Sequence, residues 1–293
     1  MTFHKPSADL FIPDGTDALA AMSRVTHLGI ATHQDDIEFM AVQGVLECFG
    51  KYGHPFGGVI CTNGAGSARI GPYAAVSNDE MCRIRRFEQR AAGTIGQYGF
   101  VAQLDYASSE VKKPGSPDLV ADLANILLAT KPEVIYTHNL ADKHETHVAV
   151  AIAALLAVRS LPKAKRPSKM YGCEVWRDLD WLPDNEKTVF DVSSRQNLQA
   201  ALNGVYDSQI AGGKRYDLAA MGRRRAHATF LESHEADKTE LAAFAMDLTP
   251  LILDDTLDVI EYVTGFIRRF EADVRNKLAA RLPGRTAAGG RAG

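Results

Sequence analysis

Residues 26–38, THLGIATHQDDIE, lead from an apolar run into a cluster of ionisable side chains. The apolar and β-branched residues of 26–33 predict a buried strand, and a helical pattern over 36–52 follows without a long loop. A strand that passes directly into a helix is the first half of a βαβ unit, so this stretch indicates an α/β fold. It also places a histidine, two aspartates and a glutamate at the carboxyl end of the strand.

Further apolar runs alternate with helical patterns along the chain. Strands are predicted at 56–64, 101–106, 132–139 and 170–176, and helices at 78–98, 117–130 and 145–160. This alternation predicts a mostly parallel sheet with helical crossovers. Beyond residue 187 we predict a short apolar run, two helical stretches within 195–226 and a helix near 256–281. We predict a single domain over residues 1–281 and a disordered tail over 282–293.

Composition and charge restrict the classes of function. The chain has 293 residues, of which 46% are hydrophobic, and can bury a substantial core. Its 33 basic and 36 acidic side chains leave a formal net charge of −3, which argues against a nucleic-acid-binding surface or a membrane anchor. We expect a small polar ligand. The amino terminus has no signal-like pattern, and no apolar run is long enough to span a membrane, so we expect a cytoplasmic protein.

The four cysteines, Cys48, Cys61, Cys82 and Cys173, stand singly and form no CxxC pair. This spacing argues against a thiolate zinc site or a redox motif. We predict reduced residues of the core.

Polar clusters follow three of the predicted strands. HQDD ends the first strand, TNGAGS (62–67) follows the second, and THNLADKHETH (137–147) follows the fourth. In open parallel sheets, ligands bind outside the carboxyl ends of the strands. We therefore expect the three clusters to converge on one rim of the sheet.

The histidine and aspartate side chains of these clusters favour a metal-binding site. His144 and His147 share one face if their segment opens a helix. A tetrahedral catalytic zinc takes three protein ligands and a water, and two histidines with one carboxylate are an established set. His33, Asp36 and His147 would supply that set. For either cluster alone, the alternatives are a structural histidine at a strand end and an aspartate pair that caps a helix.

The motif HQDDIE, followed much later in the chain by HNLADKHETH, resembles the LmbE-like, or PIG-L-type, zinc-dependent deacetylases, which carry H-x-D-D and then H-x-x-H. The resemblance extends over about residues 26–210. It implies a Rossmann-like three-layer sandwich and hydrolysis of an N-acyl group, such as acetyl, from an amino sugar or its conjugate. Gln34, Leu140 and Thr146 depart from the family's usual pattern, which affects substrate preference more than metal binding.

The resemblance also implies roles for individual residues. His33, Asp36 and His147 correspond to the ligands of one zinc ion. Asp35 corresponds to the general base that takes a proton from the attacking water, and His144 to the residue that stabilises the oxyanion or protonates the amine. These roles agree with the chemistry of metal-assisted hydrolysis.

Two further side chains are expected beside the ligands. His138 is interpreted as a residue that orients a metal ligand, with a packed strand-end histidine as the alternative. A helix N-terminus disfavours an imidazolium, and we expect the carboxylate of Asp142 to offset that effect on His144.

Four residues are predicted to contact the substrate. Asn63 and Arg69 lie in the loop after the second strand, where a solvated arginine is the alternative for Arg69. Trp176 and Arg177 follow the fifth strand, where an aromatic face could stack on a sugar ring, close the sheet edge or contact another subunit.

Other interpretations stay open. Arg85 and Glu88 match an R-x-x-E pattern of the family or form a surface pair, and Ser208 with Gln209 could support the site from outside. Another metal-assisted hydrolase, such as a phosphoesterase or an amidase on a non-sugar substrate, and an inactive sugar-binding relative are the rival functions. A mere binder would not need Asp35. A homo-oligomer through the C-terminal helix is the alternative to a monomer.

Overall fold

A computed structural model describes residues 1–283, and the last part of the predicted tail, residues 284–293, lies outside the described residues. The chain forms eight strands, namely β1 (Asp9–Phe11), β2 (His27–Ala31), β3 (Phe56–Thr62), β4 (Phe100–Tyr106), β5 (Val134–His138), β6 (Lys169–Cys173), β7 (Lys187–Asp191) and β8 (Ala242–Asp247). The helices are α1 (Ala18–Ser23), α2 (Asp36–Met40), α3 (Val42–Cys48), α4 (Asn78–Ile95), α5 (Ser108–Val111), α6 (Pro117–Thr130), α7 (Glu145–Ser160), α8 (Gln196–Gly204), α9 (Asp207–Ile210), α10 (Tyr216–Phe230), α11 (Thr249–Leu253) and α12 (Val259–Ala279).

The strands make one mixed sheet in the order β1-β4-β3-β2-β5-β6-β8-β7. The five central strands, β4, β3, β2, β5 and β6, are parallel and are joined by helical crossovers, as predicted. The prediction of a mostly parallel sheet is wrong at the edges, because β1 pairs antiparallel with β4, and β8 pairs antiparallel with β6 and β7. Antiparallel edge strands need no crossover helix, so the alternation of strand and helix patterns does not reveal them.

Helices cover both faces of the sheet. On one face α1, α6, α7, α11 and α12 supply the apolar side chains, and on the other α2, α3, α4 and α8 do so. Every residue of β3 is buried, because a central parallel strand is covered on both faces. The polar groups at the carboxyl ends of the central strands therefore lie at the rim of a packed core.

Several predicted elements match the structure closely. Helices α6 and α7 cover the predicted residues 117–130 and 145–160. The prediction of a single helix over 36–52 is wrong, since the helix is interrupted at Ala41 and forms two shorter helices, α2 and α3. The sequence patterns did not reveal the short β1, nor β8.

The described residues bear on two further predictions. All four cysteines are free; three are buried, and Cys82 is only partly buried. Within residues 1–283, no helix has both the length and the apolar character needed for a membrane span. One face of α12 carries exposed apolar side chains, among them Ile267, Phe270 and Leu278. The single domain and the oligomeric state stay predictions.

Candidate active site

The rim of the parallel strands brings together two segments that are far apart in sequence. His33 lies just beyond β2, and His147 lies in the first turn of α7, which follows β5. Because β2 and β5 are parallel neighbours, their carboxyl ends meet at the same edge. His147 Nε2 consequently lies 3.3 Å from His33 Nδ1.

Ligand atoms of His33, Asp36 and His147 form a triangle of a size that suits one metal ion. Asp36 Oδ2 lies 3.2 Å from His33 Nδ1 and 3.4 Å from His147 Nε2, and the two histidine nitrogens complete the triangle at 3.3 Å. Zinc with bonds of about 2.0–2.2 Å in a tetrahedron requires ligand atoms about 3.3–3.5 Å apart. The spacing of His33, Asp36 and His147 therefore fits one tetrahedral ion.

The protonation states of these side chains also suit a metal. Burial lowers the pKa of His33 to about 4, although Asp36 opposes that effect. Burial alone would raise the pKa of Asp36, but the neighbouring His147 and His33 outweigh it and hold that pKa below its usual value. A neutral imidazole and an ionised carboxylate are the forms that bind metals.

Asp142 orients His147 from behind. Its Oδ2 lies 3.4 Å from His147 Nδ1, so the ring can donate a proton there and present the lone pair of Nε2 to the ligand cluster. Asp142 also accepts hydrogen bonds from the backbone N–H groups of His144 and Trp176. One buried carboxylate thus ties together the ligand histidine, the start of α7 and the segment after β6.

His138 is a neighbour of the cluster rather than one of its ligands. Its Nε2 lies 3.6 Å from Asp36 Oδ2, and Asp36, His138 and His147 could by proximity form a second group of ligands. However, Nε2 accepts a hydrogen bond from the backbone N–H of Thr32 at 2.9 Å, which occupies its lone pair. The ring stacks on His147 at 3.9 Å between centroids, so it supports the orientation of that side chain.

Asp35 occupies a strained position beside the cluster. Its φ of 90° lies in a region that non-glycine residues rarely adopt. Helix α4 holds this turn: Arg85 Nη2 donates to Asp35 Oδ2 at 3.1 Å and also to the carbonyl of Gln34, while Gln89 Oε1 accepts from the Asp35 N–H. Burial raises the pKa of Asp35 well above its usual value, although Arg85 opposes the shift.

His144 lies at the N-cap of α7 and faces the cavity. Burial, reinforced by His147, lowers the pKa of His144, so the neutral ring is favoured. The charges of Asp36 and Asp142 oppose this shift, as expected for Asp142, but they do not reverse it. The hydrogen bond of Asp142 goes to the backbone N–H of His144, and His144 Nδ1 is buried with no hydrogen-bond partner among residues 1–283.

A cavity of about 540 Å³ opens in front of these groups. His33, Asp35 and Asp36 lie at one end of it, and Trp176, Tyr216 and Phe39 form an aromatic wall. The Trp176 ring is edge-on to the Tyr216 ring at 6.1 Å and stacks on the His144 ring at 6.1 Å. The predicted contact surface of Trp176 thus lines the cavity next to the cluster.

The other three predicted contact residues do not line the cavity. Asn63 Oδ1 accepts from the N–H of Ala65 and stabilises its own turn. Arg69 donates to the carbonyls of Val76 and Ala65, so it braces the loop. The backbone carbonyl of Arg177 accepts a hydrogen bond from the side-chain amide of Asn139. The polar groups of these residues are used within the protein or lie outside the cavity lining, and their contact with a substrate stays a prediction.

Sequence reasoning missed much of the cavity wall. Arg85, Gln209, Lys214, Tyr216 and Arg223 all line it. Arg85, through its R-x-x-E pattern, and Gln209, expected to support the site from outside, carried a signal in the sequence.

The surface pair proposed for Arg85 and Glu88 is wrong. Arg85 is buried against Asp35, and Glu88 accepts from the N–H of Ser208 at 2.7 Å and from its hydroxyl at 2.6 Å. The two charged side chains of this motif therefore brace two different segments of the site.

Fold and site together define an α/β protein with a buried cluster of two histidines and an aspartate at the rim of its parallel strands. Residues 28–158 match the family model described as PIG-L, GlcNAc-PI de-N-acetylase, and this match confirms the resemblance inferred from the motifs. Comparison with curated protein sequences gives no match.

Solved structures with different activities share the fold. N,N'-diacetylchitobiose deacetylase from Pyrococcus horikoshii is 14% identical with a TM-score of 0.59, and the match covers 81% of this chain and 88% of that one. A conserved protein from Thermus thermophilus is 21% identical with a TM-score of 0.58, covering 75% and 93%. The 4-carboxy-2-hydroxymuconate hydratase GalB from Pseudomonas putida is 17% identical with a TM-score of 0.56, covering 77% and 96%. At these identities the likeness establishes the fold alone.

Proposed function

We propose that this protein is a metal-dependent deacetylase that hydrolyses the N-acetyl group of an amino sugar or an amino-sugar conjugate. The observation that carries the proposal is the triangle of His33, Asp36 and His147 with Asp35 beside it in the cavity. The family match over residues 28–158 and the deacetylase from Pyrococcus horikoshii support it. Zinc is the metal that this ligand set and spacing favour.

The side chains around the cluster can divide the work of hydrolysis. A divalent metal held by His33, Asp36 and His147 would supply Lewis acidity and lower the pKa of a water. Asp35 Oδ2 is bound to Arg85, which leaves Oδ1 to take a proton from the attacking water. A carboxylate with a raised pKa is well matched to that task near neutral pH.

The other face of the reacting amide meets His144 and the aromatic wall. A neutral His144 can donate one ring N–H to the carbonyl oxygen as negative charge develops on it. Trp176 offers an apolar face on which a sugar ring can stack, and this positions the acyl group at the cluster.

Acetate release from a panel of N-acetyl amino sugars, measured with zinc-loaded protein, tests the proposal. We expect His147→Ala to lose both activity and bound metal. Asp35→Asn should keep the metal and lose about 10²–10⁴-fold in kcat/KM, which is the usual contribution of a general base. His234→Ala changes an exposed histidine and serves as the matched control. Because a hydratase shares the fold, metal binding without acetate release from any sugar would refute the deacetylase assignment.

A further inference from the structure

The wall of the cavity carries positive charge, part of which the proposed hydrolysis does not use. Three cationic side chains, Arg85, Lys214 and Arg223, line the cavity together with two carboxylates, Asp35 and Asp36. Arg85 is paired with Asp35, and Asp36 lies within the histidine cluster. Lys214 and Arg223 therefore remain as the unpaired charges of the wall.

Neither cation has a carboxylate partner in the part of the chain that the structure describes. No carboxylate oxygen of residues 1–283 lies within 4.0 Å of Lys214 Nζ or of the Arg223 guanidinium. The only hydrogen bond of the Arg223 side chain within that range runs from Nη1 to the carbonyl of Val175 at 2.6 Å. Arg223 thus keeps its remaining donors, and Lys214 keeps its ammonium protons, for a ligand.

Neighbouring basic residues are used differently, which makes these two positions distinct. Arg215 pairs with Asp217 at 2.8 Å. Arg224 is buried and donates to the carbonyl of Glu38, while Arg225 is exposed. The basic residues just before and within α10 therefore have different partners.

Lys214 and Arg223 converge on the same short segment of backbone. Lys214 Nζ lies 5.1 Å from the centroid of the Trp176 ring, and Arg223 is bonded to the carbonyl of the preceding residue, Val175. The Trp176 ring in turn stacks on His144, whose ring stacks on the ligand His147 at 4.5 Å. The rings of Trp176 and His144 therefore lie between Lys214 and His147 in this series of contacts.

The backbone holds Lys214 in place without a ligand. Its N–H donates to the carbonyl of Gln209 at 2.8 Å, and its carbonyl accepts from the N–H of Tyr216 at 2.7 Å. The ammonium group over an aromatic face gains only about 0.5–1 kcal/mol at an exposed site and retains its donors for an anion.

We infer that Lys214 and Arg223 form an anion-binding subsite for an oxyanion, a phosphate ester or a carboxylate, carried by the amino sugar away from its acylated nitrogen. The inference rests on the proposed function, because that function supplies the amino sugar. The preference for an anion rests on the two unpaired cations of the cavity wall. An arginine and a lysine that converge from one wall suit an oxyanion, since the guanidinium supplies directed donors and the ammonium a compact charge.

Binding of deacylated ligands tests the subsite without requiring hydrolysis. We would measure the Kd of glucosamine 6-phosphate, glucosamine 1-phosphate and glucosamine by calorimetry on the zinc-loaded full-length protein, and add muramic acid as the carboxylate. At least one anionic ligand should bind about 10–100-fold more tightly than glucosamine, the range expected for charged hydrogen bonds. The phosphate and carboxylate arms identify which oxyanion the subsite takes.

Lys214→Met and Arg223→Met should each remove about tenfold or more of that preference and leave glucosamine binding unchanged. Arg225→Met removes the same charge from an exposed position of α10 and should have no effect. Equal binding of glucosamine and all the anion-bearing ligands, or equal losses for both in the two variants, would overturn the inference. Should a variant fail to fold, raised salt applied to the unmodified protein must weaken the binding of the anion-bearing ligand more than the binding of glucosamine.

Acetate release from the matching N-acetyl sugars separates the two proposals. Selective anion binding without acetate release would leave the subsite in place and refute the deacetylase. Acetate release at equal kcat/KM from the neutral, the phosphorylated and the carboxylate-bearing sugars would support the deacetylase and refute the subsite.

Discussion

At the scale of single residues, the site depends on groups held in unusual states by close neighbours. Asp35 combines a positive φ with burial, and Arg85 and Gln89 of α4 compensate for both. His33 and His147 reach the same carboxylate from separate segments of the chain. Substitutions one contact away from the cluster should therefore change its chemistry without removing a metal ligand.

Asp142→Asn tests how His147 is oriented. The amide cannot accept from His147 Nδ1 as strongly as the carboxylate does, so the preference for the tautomer that presents Nε2 should weaken. We expect zinc affinity to fall about 10–100-fold, as measured by competition with a chelator. Asp178→Asn is the control, because Asp178 is exposed and lies outside the cavity lining. An unchanged affinity would contradict this role of Asp142.

Arg85→Met tests the electrostatic control of Asp35. Burial raises the pKa of Asp35 and the Arg85 charge limits the rise, so the variant should raise that pKa further. Because the ionised carboxylate is the base, the acid limb of the kcat/KM profile should move to higher pH. Arg85→Lys should shift it less, and Arg86→Met, which removes a charge paired with Asp105, should not shift it. A limb that stays in place would show that Asp35 is not the group seen in the profile.

At the scale of elements, α4 connects the strained turn after β2 with the segment that closes the cavity. One part of this helix carries Arg85 and Gln89, which contact the turn, and another carries Glu88, which binds Ser208 of α9. The next residue, Gln209, lines the cavity. Helix α4 thus positions both the proposed base and part of the opposite wall.

Ser208→Ala should weaken this connection. The hydroxyl donates to Glu88 at 2.6 Å, and its loss leaves a largely buried carboxylate with one partner fewer. We expect the free energy of unfolding, measured by urea denaturation, to fall by about 1–3 kcal/mol. Ser194→Ala alters an exposed serine and should change stability by less than about 0.5 kcal/mol. Equal effects of the two substitutions would argue against a specific link.

The helical patterns in the sequence predicted where helices form more reliably than they predicted which residues those helices contact. The apolar periodicity of α6 and α7 was sufficient because these helices pack one face on the sheet. It was not sufficient for Arg85 and Glu88, since a charged i,i+3 pair has the same sequence pattern on a surface as in a buried junction. Only the position of α9 against α4 distinguishes the two cases.

At the scale of the whole molecule, the proposed metal ligands lie on segments that are far apart in the chain. His33 follows β2 and His147 belongs to α7, so a bound ion would hold the first and the fourth parallel units of the sheet together. A ligand that binds only the folded state stabilises it in proportion to the logarithm of its concentration.

Metal removal should therefore lower the melting temperature. Free zinc at one hundred times its Kd corresponds to about 2.7 kcal/mol, which should raise Tm by about 5–10 °C over the chelated protein. His147→Ala should abolish the shift, and His234→Ala should retain it. Identical melting curves with and without zinc for the unmodified protein would contradict a metal site formed by folding.

The sequence by itself determined the parallel centre of the fold and the histidine and aspartate side chains that gather at its rim. Alternating strand and helix patterns require crossovers, crossovers make neighbouring strands parallel, and parallel strands place their carboxyl ends on one rim. The sequence pattern alone therefore predicts that one rim holds His33, Asp35, Asp36, His144 and His147. The antiparallel edges and the substrate wall depended on tertiary packing. Lys214 and Arg223 line the cavity because α10 packs beside the segment after β6, while Arg69 turns into its own loop, and a basic residue has the same local pattern in either setting.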